Sequence, residues 1–335
     1  MAKNETLLSV VIPVYNPGPY LAACLDSILT QKDAAFELVL VDDGSTDGSP
    51  AVLRDYAARF SCIRLITTEN RGVASARRTG LAAAEGRYIL YMDSDDMLAP
   101  GALEKLAEIC GQEAPDVLYY GIKQLKDGVC SSYGDNCRPG RYGRKELEEE
   151  LFPRLIHGAD ASYVRPNLCG LVLKKEALSA HMIDHRDAMM AEDFAVTVPC
   201  LFEADSLIVL EDELYIYRRN GESVTMARKP FNWNCPEVVA RHIEAHIDLS
   251  RGDFRAQLDR KLTHDLFNTA AAQFYAAGGF LKNRRRILQE LKRPYYREAI
   301  RRSRFAGSPR AVLMSLAMKL RLCGLIRLFS VWRIR

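Results

Sequence analysis

Apolar runs alternate with helix-patterned segments through the first 125 residues of the chain. One helix-patterned segment follows a turn at residues 16–19 and places Leu21, Cys24, Leu25 and Ile28 on one face. The predicted strands are LLSVVIPV, FELVLVDD, CIRLITT, RYILYMD and DVLYYGIKQL. Apolar strands that alternate with helices indicate a parallel sheet covered on both faces. The sequence therefore predicts an α/β fold with a mostly parallel, doubly wound sheet.

The pattern changes after residue 125. A polar, glycine-rich stretch at 126–165 is expected to contain one helix, from Lys145 to Ile156. A strand and a short helix follow in NLCGLVLKKEAL, then a helix in AEDFAVTVPCLFEA despite its proline, then strands in SLIVLEDELYIYRRN. From Phe231 onward the pattern is mainly helical. We therefore expect two regions, a sheet region at 1–227 and a helical appendage at 228–335.

Composition places the chain among globular proteins. It has 335 residues, of which 48% are hydrophobic and 27% are charged, enough to bury a core. Its nine cysteines include no CxxC pair, and MAKNETLL lacks the apolar stretch of a secretory leader. We expect reduced thiols and a cytoplasmic location, with a Cys130–Cys137 pair as the less favoured alternative.

Charge is distributed unevenly along the chain. Residues 226–335 hold 23 Lys/Arg against 8 Asp/Glu, whereas residues 1–225 hold 23 Lys/Arg against 35 Asp/Glu. The basic part has no apolar run of the roughly 20 residues that a membrane span needs. Basic helices with aromatic ends commonly lie on anionic membrane surfaces. We favour that interpretation over a helical subdomain that only packs on the core, and no motif supports nucleic acid as the partner.

Polar clusters follow three of the predicted strands, namely Tyr15-Asn16, Asp42-Asp43 and the DSDD stretch at 93–96. In open parallel sheets, ligands bind beyond the carboxyl ends of the strands. Because all three clusters lie at such ends, we expect them to share one site.

Two acidic motifs suggest the chemistry of that site. DSDD supplies carboxylates that suit Mg²⁺, which keeps several waters and often binds substrate phosphates, although an acidic turn that caps the next helix is an equal alternative. In VDDGSTDGS, Asp43 or Asp42 would accept hydrogen bonds from a nucleotide base or ribose, or would simply cap a helix. No GxGxxG follows the first strand and no GxxxxGK[ST] occurs, so dinucleotide and P-loop folds are not indicated.

Five blocks of the sequence together resemble the family 2 inverting glycosyltransferases of bacterial type. They are SVVIPVYNPGPYLAACLDSILTQ, FELVLVDDGSTDGS, ENRGVASARRTGLAAAEGRYILYMDSDD, AEDFAVTVPCLFEA and YIYRRNGESVT, in that order. The resemblance covers about residues 7–227 and implies a nucleotide-diphospho-sugar transferase fold of the GT-A type. The region at 1–227 would then be the catalytic domain.

The resemblance also implies roles for individual residues. Asp193 matches the general base, and Asp93 and Asp95 match an Asp-x-Asp motif that binds Mn²⁺ or Mg²⁺, with Asp95 the direct ligand. Asp96 would contact the sugar or support the loop. Arg218 matches a basic position near the diphosphate. The positions implied for the nucleotide-sugar donor are Pro13, Tyr15, Asp42, Asp43, Arg77, Asp96 and Arg218.

The sequence departs from the family pattern in two places. Arg78 stands where the family often has Asn, and Cys169-Gly170 stand where relatives often carry Lys-Leu. The second departure puts acceptor contacts at that segment in doubt. His181 and His185 precede the AEDF block and would either touch the acceptor or lie in a solvated loop.

An inverting transfer is a single displacement and needs only one carboxylate as base. Glu192 is adjacent to Asp193, but neighbours on a helix point about 100° apart, so we do not expect them to act as a pair. Without the resemblance, Asp193 would be interpreted as an exposed helix carboxylate.

We therefore predict a metal-dependent inverting glycosyltransferase. It would move a sugar from a nucleotide-diphospho-sugar, with UDP-sugars favoured, to a saccharide or lipid-linked saccharide in cell-surface polysaccharide synthesis. The alternatives are a non-catalytic nucleotide-sugar-binding or membrane-associated module and a sugar-nucleotidyltransferase, whose glycine-rich, arginine-containing first loop is missing here. The expected location is the cytoplasm, with peripheral attachment to the inner face of the plasma membrane.

Overall fold

The computed structural model describes residues 6–31, 36–133, 137–164, 167–183, 191–219 and 229–332. The chain divides into two compact units. The sheet unit comprises Met1–Leu147 and Arg165–Asn220, and the helical unit comprises Glu148–Val164 and Gly221–Arg335. The boundary at residue 227 stays a prediction.

One sheet of ten strands organises the described part of the sheet unit. The strands are β1 Leu8–Val14, β2 Phe36–Asp42, β3 Ile63–Thr67, β4 Tyr88–Tyr91, β5 Met97–Leu98, β6 Val117–Lys126, β7 Val129–Ser132, β8 Gly140–Gly143, β9 Leu171–Lys174 and β10 Ser206–Arg218. Their order is β3-β2-β1-β4-β9-β6-β10-β5, with β7 on β6 and β8 on β10. The sheet is flanked by the helices α1 Leu21–Leu29, α2 Ser49–Arg59, α3 Val73–Ala83, α4 Ala102–Gln112, α5 Arg144–Glu146, α6 Lys175–His181 and α7 Glu192–Glu203.

The α/β fold class is confirmed, and the sheet is parallel in its first half and mixed in its second. Strands β3, β2, β1 and β4 are all parallel neighbours. Strand β9 then runs antiparallel between β4 and β6, while β6 and β10 are parallel. An antiparallel strand inside a largely parallel sheet is common in large sheets.

Strand β1 lies at the centre of the core, and all seven of its residues are buried. Its pairing with β4 ends at Val11, two residues before Pro13, whereas its pairing with β2 continues to Val14. Because proline has no N–H to donate, it is tolerated where a neighbouring strand has already ended. The carboxyl ends of β1 and β4 therefore separate at the edge of the sheet.

The helices that flank β1 pack as the sequence predicts. The apolar face predicted for α1, with Leu21, Cys24, Leu25 and Ile28, is fully buried. Helix α3 comes still closer to the sheet at Gly80, where an added Cβ would lie 2.3 Å from the Cγ1 of Val11. Because several residues of α3 are small, α3 packs closely on the sheet, and its other side chains lie near the ends of the strands.

The helix expected from Lys145 to Ile156 is broken into three short pieces. An α-helical turn at Arg144–Glu146 is followed by a π-helix at Leu147–Leu151 and a 3₁₀ turn at Phe152–Arg154. Pro153 lacks an N–H and its ring would clash with the carbonyl four residues earlier, so a continuous α-helix is disfavoured there. The division between the two units falls inside this irregular segment.

The helical unit is built around its longest helix. Its described helices are α8 Cys235–His246, α9 Phe254–Ala272, α10 Gly279–Glu290, α11 Pro294–Arg302, α12 Pro309–Lys319 and α13 Cys323–Trp332. Leu258, Leu262 and Leu266 of α9 form its core. The guanidinium of Arg302 donates two hydrogen bonds, of 2.8 and 3.0 Å, to the buried carboxylate of Asp259 and so joins α11 to α9.

Two general features complete the fold. All nine cysteines lie within the described residues and none forms a disulfide, so the alternative Cys130–Cys137 pair does not form. Among the described residues, none of the helices is both long enough and apolar enough to cross a membrane.

Candidate functional site

The acidic loop at 93–96 lies at the point where the strand order reverses. Strands β2 and β3 lie on one side of β1, and β4 and the later strands lie on the other. In open α/β sheets the crevice at this switch point is the usual ligand site. The loop follows β4 directly, so Asp93, Asp95 and Asp96 lie where the sequence placed them.

Arg77 joins the acidic loop to the start of α7. Its Nη2 donates to the Oδ1 of Asp93 at 3.0 Å, and its Nη1 donates to the Oδ1 of Asp193 at 2.6 Å. The Nη1 atom also lies 3.6 Å from the Oε1 of Glu192. One guanidinium therefore holds a loop carboxylate and a helix carboxylate that are 100 residues apart in sequence.

Burial makes this cluster electrostatically strong. The Arg77 side chain is only 6% exposed, and burial alone would lower its pKa. The charges of Asp193, Asp93 and Glu192 outweigh that effect, so the pKa of Arg77 is raised above its usual value. Burial and the charge of Asp193 raise the pKa of Glu192. Arg77 therefore stays charged and is committed to positioning carboxylates, a role that its predicted place beside the nucleotide did not include.

Glu192 and Asp193 both approach Arg77, and the expectation that they do not act as a catalytic pair stays a prediction. Both residues lie in the first turn of α7, and both carboxylates reach the same nitrogen of Arg77. The 100° separation along a helix does not prevent this, because a long arginine side chain approaches the end of the helix between them.

Asp193 is held from both sides and yet reaches solvent. Its Oδ2 accepts a hydrogen bond of 3.2 Å from the backbone N–H of Leu168, which lies in a 3₁₀ turn before β9. The side chain remains 31% exposed. A carboxylate has about four lone-pair positions, so two such bonds leave room for a further donor. The Leu168 contact was missed because a backbone donor leaves no signal in the residue type.

Asp96 is enclosed by the elements around the acidic loop. It is fully buried, and its carboxylate accepts hydrogen bonds from the Tyr215 hydroxyl at 2.6 Å and the Arg218 N–H at 2.7 Å. Burial, followed by the charges of Asp93 and Asp95, raises the pKa of Asp96 to about 8. These bonds favour the supporting role of the two predicted for Asp96, and its role stays a prediction.

Tyr215 is a site residue that the sequence reasoning missed. Besides donating to Asp96, its hydroxyl oxygen accepts from the Asp93 N–H at 3.2 Å. The only sequence signal was an aromatic residue on the same strand as Arg218.

Arg218 lies beside the acidic loop, at the end of β10. Its Nε donates to the Asp95 carbonyl oxygen at 3.1 Å, and its guanidinium lies 5.1 Å from the ring centroid of Tyr20. The half-buried Asp95 and this guanidinium therefore share one corner of the site.

Asp42 and Asp43 are buried and are bonded to the loops around them. Asp42 accepts from the Ser45 N–H at 2.9 Å. Asp43 accepts from the N–H groups of Arg71 at 2.9 Å and Gly72 at 2.8 Å, which lie just before α3. Asp43 therefore shapes the approach to Arg77, whatever else its remaining lone pairs accept.

The end of β1 forms the other side of this region. Pro13 is buried inside the sheet, whereas Tyr15 is 52% exposed and offers an open aromatic face. Asn16 adopts a left-handed conformation with φ of 50°, and its side-chain oxygen accepts from the Thr46 N–H at 2.7 Å. That bond holds the loop after β2 against the loop after β1.

The donor set of the acidic loop fits a hard divalent ion. Asp93 and Asp95 offer carboxylate oxygens, and the Asp93 side chain is 41% exposed. The described residues contain no group of three or more His, Cys, Asp or Glu that could enclose a metal. An ion held by these two aspartates would complete its oxygen shell with water or substrate, as Mg²⁺ commonly does.

His181 does not lie in a solvated loop. It ends α6, is buried, and its Nε2 lies 2.8 Å from the Oε2 of Glu203 on α7. It therefore joins two helices, and a contact with the acceptor is not indicated. His185 lies outside the described residues.

Comparison with known sequences identifies relatives of one kind. The family model described as glycosyl transferase family 2 matches residues 9–152. The glycosyltransferase GlyG of Streptococcus pneumoniae is 30% identical over 249 residues, which are 71% of this chain and 79% of GlyG. The uncharacterized glycosyltransferase EpsJ of Bacillus subtilis is 31% identical over 219 residues, which cover 65% of this chain. That match spans 63% of EpsJ, so the chain covers less than two thirds of that relative.

Solved structures share the fold at low sequence identity. S. aureus TarS 1–349 in complex with UDP-GlcNAc superposes with a TM-score of 0.62 at 18% identity, covering 96% of this chain and 90% of TarS 1–349. The mannosyltransferase PcManGT from Pyrobaculum calidifontis, in complex with GDP-Man and Mn²⁺, superposes with a TM-score of 0.51 at 19% identity. That superposition covers 93% of this chain and 86% of PcManGT.

Proposed function

This chain belongs to glycosyltransferase family 2, as an enzyme with the GT-A fold, and on that premise we propose a metal-dependent glycosyl transfer that inverts the anomeric carbon. The donor is a nucleotide-diphospho-sugar, and the acceptor is a hydroxyl group. The observation that carries the proposal is the bridge from Asp93 to Asp193 through Arg77. One guanidinium thus bonds both a carboxylate that is suited to bind a metal and a carboxylate that is suited to act as a base.

Asp193 acts as the general base in this proposal. The acceptor oxygen forms a bond to the anomeric carbon while its proton passes to the Asp193 carboxylate. The bond from the anomeric carbon to the diphosphate breaks on the opposite face, and the nucleoside diphosphate leaves with the electron pair. The exposed fraction of Asp193 and its two fixed hydrogen bonds support this role, since a base must be both reachable and oriented.

Charge on the leaving diphosphate must be balanced. Asp93 and Asp95, with Asp95 the direct ligand, would hold Mn²⁺ or Mg²⁺, and such an ion supplies positive charge beside phosphate oxygens when it is bound. Arg218 adds a fixed cation at the same corner. Preorganised charge of this kind is usually the largest contribution to transfer catalysis.

The nucleotide lies along the ends of β1 and β2 in this proposal. Tyr15 offers an exposed ring against which a base can stack, and Pro13, Asp42 and Asp43 form the buried floor beside it. UDP-sugars are the favoured donors, and the related fold of TarS was solved with UDP-GlcNAc. GDP-sugars are the next class to test, since PcManGT was solved with GDP-Man.

The proposed acceptor is a saccharide or lipid-linked saccharide in cell-surface polysaccharide synthesis, reached from the cytoplasmic side of a membrane. The basic composition of residues 226–335 supports an anionic membrane as a further partner.

Donor binding and donor breakdown provide the test. UDP-, GDP- and TDP-sugars are screened by thermal shift with and without Mn²⁺, because a ligand that binds the native state raises its unfolding temperature. Release of the nucleoside diphosphate is then measured for each donor that binds. Metal-dependent release supports the proposal. Binding without any release would favour a non-catalytic module, and consumption of a nucleoside triphosphate would favour a sugar-nucleotidyltransferase.

A further inference from the structure

Helix α12 is apolar on two opposite faces, and only one of them is covered. Ala311, Met314, Ala317 and Met318 are buried within the helical unit. The residues we call the leucine stripe are exposed, with Val312 at 46%, Leu313 at 41%, Leu316 at 45% and Leu320 at 60%. A helix that is apolar all round is normally buried, so the leucine stripe lacks a covering surface within the described part of the chain.

The leucine stripe is a continuous face of the helix. Successive helical residues turn by about 100°, which places its four members within an arc of about 100°. Such an arc matches the apolar width of a helix that lies along a surface. Scattered exposed apolar residues are common on proteins, but three leucines and a valine on one helical face indicate a contact.

The surroundings of the leucine stripe are basic. Residues 299–335 contain nine Lys/Arg and no Asp/Glu. The Lys319 ammonium donates to the Ser303 carbonyl oxygen at 2.6 Å, and the guanidinium of Arg310 lies 5.9 Å from the ring centroid of Phe329. Arg310 and Lys319 both belong to α12, so the helix that carries the leucine stripe also carries two cations.

We propose that the leucine stripe of α12 enters the headgroup region of an anionic lipid bilayer, with the surrounding cations against lipid phosphates. This inference rests on the membrane partner proposed above and identifies the surface that meets it. Apolar side chains flanked by Lys and Arg are the pattern of helices that lie in the membrane interface. A second copy of the chain is the weaker candidate, because face-to-face contact would bring like charges together.

Vesicle sedimentation tests this surface with the full chain. The wild type and Leu316→Gln/Leu320→Gln are mixed with vesicles of equal parts phosphatidylglycerol and phosphatidylcholine, and with pure phosphatidylcholine. Glutamine keeps the net charge, so a loss of binding measures the apolar contribution. The matched control is Leu281→Gln, because Leu281 on α10 is 77% exposed and lies outside the leucine stripe.

We expect the wild type and Leu281→Gln to sediment with the anionic vesicles and to lose binding at high salt. Each leucine removed from the stripe should weaken binding about tenfold, which corresponds to about 1.4 kcal/mol, the lower end of what burial of a leucine side chain contributes. Val312→Thr/Leu313→Gln should give a similar loss of vesicle binding. This second variant keeps the test valid if the first one folds poorly, which thermal unfolding would show.

Wild-type levels of sedimentation in both double variants would overturn the proposal. A wild type that does not sediment with anionic vesicles would also overturn it. A stripe variant that differs from the wild type only in the mass of the protein in solution would assign the surface to a second copy and would likewise overturn the proposal. Nucleoside diphosphate release without vesicles is measured in parallel. Failure of release with intact vesicle binding would reject the proposed enzyme chemistry and leave this surface standing.

Discussion

The Nη1 atom of Arg77 lies 2.6 Å from the Oδ1 of Asp193, although 115 residues separate them in the chain. The same guanidinium bonds Asp93, so a buried arginine sets the distance between the proposed metal loop and the proposed base. The catalytic geometry therefore depends on a residue that faces inward, away from solvent.

Replacing Arg77 by Met should reduce both stability and turnover. Removing one partner of a buried ionic cluster typically costs about 3–5 kcal/mol, because the remaining charges lose their compensation. Arg77→Lys should retain part of the stability but not the two-pronged geometry, so its turnover should remain low. Thermal unfolding and nucleoside diphosphate release measure the two effects. Arg54→Met, at an exposed position on α2, is the matched control and should behave nearly as wild type.

Replacing Asp95 by Ala should abolish the metal dependence of donor binding. The proposed ion would lose its direct ligand, so donor affinity in Mn²⁺ should fall to the level seen with a chelator. Titration calorimetry of a UDP-sugar at several Mn²⁺ concentrations measures this. Glu104→Ala, which removes an exposed carboxylate from α4, serves as the control. An unchanged metal titration in Asp95→Ala would remove that residue from the ligand set.

Replacing Tyr215 by Phe should destabilise the sheet unit by about 1–3 kcal/mol, because the buried Asp96 carboxylate loses a hydrogen-bond donor. The acidic loop should also loosen, which would raise KM for the donor. Denaturant unfolding and steady-state kinetics measure the two effects against the wild type. Wild-type stability in Tyr215→Phe would mean that the Tyr215 hydroxyl does not support the loop.

The helical unit should lose stability in mild acid through His157. This histidine is fully buried, its Nε2 lies 3.1 Å from the Nδ1 of His264, and burial together with the charge of His264 lowers its pKa to about 4. Between pH 4 and the unfolded pKa of 6.5, His157 binds a proton in the unfolded chain but not in the native state. The contribution of His157 to the free energy of unfolding should therefore be complete above pH 6.5. It should fall as the pH decreases, by about 3 kcal/mol in total.

Unfolding midpoints recorded from pH 8 to pH 4 check this expectation. His157→Gln should flatten the pH dependence. A wild type whose unfolding midpoint is constant over this range would contradict the assignment.

The sequence predicts the parts of this fold that depend on local pattern. The buried face of α1 and the position of the acidic loop after β4 follow from periodicity and strand ends. The antiparallel insertion of β9 could not be predicted, because strand order depends on packing between distant segments. Pro153 indicated a break in the helix, but the apolar pattern was given more weight.

The sequence could indicate candidate residues of the site but not the contacts between them. The side chains of Asp95 and Asp96 are adjacent and chemically identical, and only the fold makes one half-buried and the other fully enclosed by Tyr215 and Arg218. The link from Arg77 to Asp193 joins segments far apart in the chain, and the hydrogen bond from the Leu168 N–H is independent of its side chain. Such contacts are properties of the tertiary structure.

The most direct measurement of the proposed mechanism is the separation of donor binding from transfer in Asp193→Asn. Asparagine preserves the size of the side chain but cannot take the acceptor proton, so donor affinity should stay near the wild-type value while turnover falls by about 10²–10⁴. Glu192→Gln, beside it on α7, should retain substantially more turnover. Wild-type turnover in Asp193→Asn, with donor binding unchanged, would contradict the account.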